Sequence, residues 1–152
     1  MRRLLVDLLR SIGLGVVSGS IMAVVSSAFV LGVLYFTELR GRMNFLSGEI
    51  FGLPANPIVV LWLLLAATLV VATRRLANIE GWQTPADSIY AAHMPDSHLD
   101  HKKGFASTLA AFISASGGAS VGQYGPLVHF GGLMGSLFRR VTGGIFSMDV
   151  FI

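Results

Sequence analysis

The most distinctive chemistry in this sequence lies in a stretch that carries no charge. Gly122-Gln123-Tyr124-Gly125-Pro126-Leu127 joins two glycines, which leave the backbone open to close approach, to a proline suited to the first turn of a helix. A helix starting there leaves its first amide groups without carbonyl partners, and the aligned peptide dipoles make that end positive. This is the chemistry of an anion site built from backbone. Because it needs no full positive charge, an ion can leave as well as enter. The same glycine-rich break also serves close packing between helices. A second turn of related composition is Gly81-Trp82-Gln83-Thr84-Pro85. Thr84 reads there as a helix N-cap and Pro85 as the first residue of a short helix over 85–93.

Other constellations carry less. His93, His98 and His101 stand with Asp96 and Asp100, but their spacing matches no common zinc pattern and Pro95 interrupts any shared helical face. They read as a solvated loop, and no metal site is expected. His129 is an ionisable group inside an apolar run and so a proton-relay candidate. Its competing reading is a neutral histidine hydrogen-bonded within a helical bundle. Trp62 and Trp82 read as packing or interface residues. With no nucleophile–base pair, phosphate loop or dinucleotide fingerprint, neither an enzyme nor a cofactor is expected. The absence of cysteine excludes disulfides and thiolate metal sites.

The elements that would position these residues are membrane helices. Only 12% of the 152 residues are charged while 53% are hydrophobic, against about 25% charged in soluble domains. The charges are also segregated: none occurs over 11–37, 50–73 or 104–138. The first two runs exceed the ~20 residues that a bilayer-spanning helix needs. Spans are therefore expected at 11–37 and 56–73, with Pro57 opening the second. The third run is too long and too interrupted for one helix. It divides into helical stretches at 104–116 and 126–138, each roughly 20 Å long at 1.5 Å per residue, short of the ~30 Å hydrocarbon core. Two such stretches meeting at a glycine linker form the pattern of a discontinuous membrane helix. The fold class is accordingly an all-α membrane protein, a polytopic helical bundle containing a broken helix pair.

The ends of the spans indicate orientation. Arg2, Arg3 and Arg10 precede the first span, Arg40 and Arg42 follow it, and Arg74, Arg75, Lys102 and Lys103 follow the second. The positive-inside rule puts the N-terminus in the cytoplasm. The net charge of +3 comes from these flanking residues, so the lipid bilayer is the expected partner and nucleic acid is not. The apolar run after Arg10 is too long for a signal peptide. Residues 1–10 read as an amphipathic lead-in that could lie on the membrane surface. Gly15, Gly19 and Ala23 form a small-residue stripe that expects a neighbouring helix.

The stretch Gly118-Ala119-Ser120-Val121-Gly122-Gln123-Tyr124-Gly125-Pro126-Leu127-Val128-His129-Phe130-Gly131-Gly132-Leu133-Met134-Gly135 resembles the signature of CLC-type chloride channels and proton/chloride antiporters. That pattern runs small-x-x-x-Gly-Arg/Lys-Glu-Gly-Pro-x-Val-x-Ile/Phe-Gly. The order of two long helices, a short loop-helix and a broken pair is similar as well. The resemblance implies that 1–152 is the N-terminal portion of a CLC-like transmembrane domain, part of one inverted repeat whose pore takes ligands from both halves. It implies chloride as the transported ion, a homodimer, and a plasma (inner) membrane location. Gly122, Gln123, Tyr124, Gly125, Pro126 and Leu127 would form the anion-binding and gating segment. Gly81, Trp82, Gln83, Thr84 and Pro85 would match the family's Gly-Ser-Gly-Ile-Pro turn, with Trp82 in place of the serine.

Two departures bear on mechanism. Tyr124 stands where the family has its gating glutamate, and Gln123 where it has a basic residue. A phenol stays protonated at neutral pH, so Tyr124 cannot carry protons as a carboxylate does. Its hydroxyl can donate a hydrogen bond to an anion, or its ring can plug the path. The expected function is chloride transport without glutamate-linked proton exchange; the alternative is a non-conducting membrane scaffold or degenerate CLC-like fragment.

Overall fold

The computed structural model describes residues 2–43, 48–50, 53–93, 99–122 and 124–141. Five helices follow in order: α1 (Arg2–Arg42), α2 (Pro57–Leu76), α3 (Pro85–His93), α4 (His101–Gly117) and α5 (Tyr124–Val141). Between α1 and α2 lies a small antiparallel hairpin of β1 (Gly48–Ile50) and β2 (Leu53–Ala55), pairing Gly48 with Ala55 and Ile50 with Leu53. The all-α reading holds, with this hairpin as its one addition among the described residues.

Local chemistry explains the helix ends. At α2 the Asn56 side chain caps the first turn, its Oδ1 accepting from the Ile58 N–H at 3.0 Å, and Pro57 takes the first helical position. At α4 the Asp100 carboxylate accepts from the Lys102 and Lys103 amides at 3.0 and 3.2 Å. That cap starts the helix at His101, three residues ahead of the expected 104. At the other end, Gly118 takes the left-handed conformation, φ 97°, and its N–H and that of Ala119 bond the Ala115 and Ser114 carbonyls. This is the usual way for a glycine to close a helix.

The first helix differs most from expectation. The lead-in and the span are continuous, and α1 runs on through Glu38, Arg40 and Arg42. Its 41 residues extend about 60 Å at 1.5 Å per residue. The apolar portion, Ile12–Arg42, has 31 residues, and α2 has 20; both satisfy the length of a bilayer crossing. Both also leave large apolar side chains uncovered, among them Val16, Val24, Leu31 and Leu34 on α1 and Leu61, Leu64, Leu65 and Val71 on α2. In water such faces would be an aggregation hazard; in a bilayer they face lipid.

Packing within the bundle runs through small residues meeting rings and aliphatic chains. A methyl group built on Gly117 of α4 would collide with the Ala66 Cβ of α2, and one on Gly32 of α1 would lie 2.8 Å from the Phe112 ring of α4. Phe112 also meets Phe29 and Phe36 edge-on, at centroid distances of 5.3 and 6.2 Å. The central cluster is Ala91, Leu99, Phe130 and Leu133, with Met22, Val25 and Met134 against it. The Gly15–Gly19 stripe does not make the expected contact: nothing among the described residues lies within 4 Å of a methyl built at either glycine. The α1 seam is formed by the rotated set Met22, Val25, Phe29, Gly32 and Phe36 instead.

Candidate functional site

Two helices begin side by side inside the bundle. The loop after α2 folds back on itself, because Arg74 donates to the Glu80 carbonyl at 2.8 Å and to that of Ile79 at 3.5 Å. The chain then enters the bundle, where the Gln83 N–H donates to Ser107 Oγ at 2.8 Å. Ser107 lies six residues past the start of α4, about 9 Å along it at 1.5 Å per residue. From that depth α3 starts at Pro85.

The start of α5 meets it there. A carbon built on Gly125 would lie 3.6 Å from Pro85 Cγ. Three residues along α3, Ser88 Oγ is 2.7 Å from Nδ1 of His129, which is four residues along α5 from Gly125. The two contacts advance in the same chain direction, so α3 and α5 run parallel with their N-termini together. The positive ends of both helix dipoles therefore lie at one level.

The expected site residues fall on both sides of this junction. Tyr124 is the first residue of α5, which makes Pro126 the third helical residue and not the first. The physical reason is simple: any position in the first turn lacks a carbonyl partner for its N–H, so a proline is accommodated throughout it. The amides of Tyr124 and Gly125 are the described donors at that end. Gly122 is exposed, with open space around it. The Tyr124 ring is 75% exposed, so no packing within the chain fixes it. Pro126 and Leu127 are half-buried, and Gln123 lies outside the described residues.

On the α3 side, Gly81 and Trp82 are exposed, and Pro85 is half-buried. Gln83 Oε1 is buried without a hydrogen-bond partner. Thr84 closes the first turn of α3 by donating its N–H and its hydroxyl to Asp87 Oδ2, at 2.5 and 2.9 Å. These two bonds hold the Asp87 carboxyl below its ordinary pKa. They stabilise the ionised form, so their contribution is complete above the ordinary carboxylate value and is lost as pH falls through the lowered one.

His129 is 2% exposed and Ser88 3% exposed, and their bond is that of a histidine held within the bundle. Nothing in the sequence marked Ser88 as the partner of His129 or Ser107 as that of Gln83, since the partners lie on different elements. Of the histidine–aspartate constellation, Asp96 and His98 lie outside the described residues. Asp100 caps α4, His93 Nδ1 bonds the Ile89 carbonyl at 2.8 Å, and His101 Nε2 approaches Ser136 Oγ at 3.5 Å.

One sequence family, described as Voltage gated chloride channel, matches residues 63–149. The match covers most of α2, the turn at 81–85, α3, α4 and α5. No curated protein and no solved structure gives a match.

Proposed function

We propose, on the premise that this chain belongs to the voltage-gated chloride channel family, that it moves chloride across a membrane without glutamate-linked proton exchange. The observation that carries this reading is the junction of α3 and α5: Pro85 against Gly125 and Ser88 bonded to His129 align two positive helix ends. An anion near the Tyr124 and Gly125 amides would gain from the α5 dipole, while the start of α3 already serves the Asp87 carboxylate. Gly122 and Gly125 would leave the backbone accessible, and Thr84 would stand where the family's serine turn has its hydroxyl, with its own proton released from Asp87 to serve an ion. Gln123, Leu127, Gly81, Trp82 and Gln83 would complete the segment around the ion.

Tyr124 shapes the mechanism. A glutamate there would compete with chloride as an anion and carry a proton when displaced. Tyrosine would do neither; its hydroxyl would donate to the ion, or its ring would obstruct the route. The chain would act as the N-terminal portion of a CLC-like domain, with the second half of the ion's ligands supplied by an inverted repeat. By the distribution of arginine and lysine its N-terminus would lie in the cytoplasm, at the plasma (inner) membrane. A homodimer would be the assembly, as the family resemblance implies. Chloride efflux from liposomes containing folded full-length protein tests the reading: efflux above that of protein-free liposomes is expected, and none would leave a non-conducting scaffold.

A further inference from the structure

A half-buried cation with one buried, unpartnered nitrogen lies on the opposite side of the break. Arg40, near the C-terminal end of α1, has its Nη1 buried with no hydrogen-bond acceptor among the described residues. The guanidinium lies against Gly118, where a built methyl group would fall on Nη1 and approach Cζ to 2.9 Å. No carboxylate neutralises it: the one ion pair among the described residues joins Arg42 to Glu38, at 2.7 Å.

Capping does not account for it either. The carbonyls of Ser114 and Ala115 at the end of α4 already accept from the Ala119 and Gly118 amides, and Arg40 bonds neither. A buried charged donor without an acceptor is costly, which calls for an acceptor from outside the chain. The surroundings favour a small anion, since the chain continues from Gly118 through the exposed Ser120, Val121 and Gly122 to the first amides of α5.

We propose that the Arg40 guanidinium and the linker after Gly118 form a second halide site, on the side of the membrane opposite the N-terminus and ahead of the α3–α5 junction. The role in transport rests on the chloride-conducting reading; the binding itself does not. Arg40 would collect the ion by charge, and the paired helix ends would receive it without one.

Bromide matches chloride in charge and can be located by anomalous scattering. Crystals of the full-length protein grown in bromide should show a peak in hydrogen-bond contact with the Arg40 guanidinium. Arg40→Gln should lose that peak and keep any peak at the Tyr124 and Gly125 amides. A peak that survives in the variant, or wild-type crystals with no peak at Arg40, overturns the proposal.

Thermal unfolding supplies a second readout. The wild type should unfold at a higher temperature in chloride than in gluconate of equal ionic strength, and Arg40→Gln should lose at least about half of that gain. Equal lowering in both salts, with the gain intact, would mean that Arg40 only supports the fold, and the proposal fails. In flux, Arg40→Gln should raise the half-saturating chloride concentration on that side about tenfold, the effect of one charge-assisted hydrogen bond. An unchanged concentration overturns the site's role. Chloride efflux persisting without a site at Arg40 would leave the proposed function standing, whereas efflux absent from wild type would remove that function and leave bromide binding to be judged separately.

Discussion

A tyrosine at the start of α5 has the size to fill the ion's position but not the acidity to exchange protons there. That contrast makes Tyr124→Glu the informative substitution. The ring is 75% exposed, so the change should not disturb the fold, and unfolding temperature should shift little. Chloride flux in the variant should become pH-dependent, falling as the new carboxylate ionises and competes for the positive helix ends. Flux recorded against pH on both sides of the membrane checks this, and a flat profile would detach Tyr124 from the ion path. A helix start close to residue 124 was legible in the sequence because glycines and a proline marked it. The Ser88–His129 bond was not, since its partners are 41 residues apart on different helices. Arg40 was read only as a flanking charge, since its burial depends on the end of α4 packing against it.

At the scale of elements, the glycines divide by what surrounds them. Gly117→Val should push α2 and α4 apart, since even a methyl there meets Ala66, and overpacking of this kind costs about 1–3 kcal/mol. Gly122→Ala should leave stability within about 0.5 kcal/mol, since its surroundings are open and such changes away from packed features are usually small. It should nonetheless reduce chloride affinity if the ion approaches the backbone there. Unfolding in detergent together with chloride-dependent flux separates the two effects. The short helix over 85–93 was legible from Thr84 and Pro85 alone. The ends of α1 were not: absence of charge delimits the lipid-facing core of a helix, while hydrogen bonding carries the helix on through Glu38 and Arg40. The face of α1 that meets α4 was not legible either. Small residues permit close approach, but the rings of Phe29 and Phe36 determined which side of the helix met α4.

For the whole molecule, two apolar helices with uncovered outer faces and a shorter set of helices behind them give a membrane protein whose polar contacts Ser88–His129 (buried) and Gln83–Ser107 (part-buried) lie among the shorter helices. That general arrangement was legible in the charge-free runs. The junction of α3 and α5 was not, because parallel placement of two helix starts depends on a loop entering the bundle and bonding Ser107. We propose that this junction, with tyrosine at its mouth, passes chloride without exchanging protons. Simultaneous recording of chloride efflux and proton influx from the same liposomes, with potassium and its ionophore balancing charge, tests that claim most directly. Chloride efflux is expected with no proton movement beyond that of protein-free liposomes. Proton influx in fixed proportion to chloride efflux would contradict it.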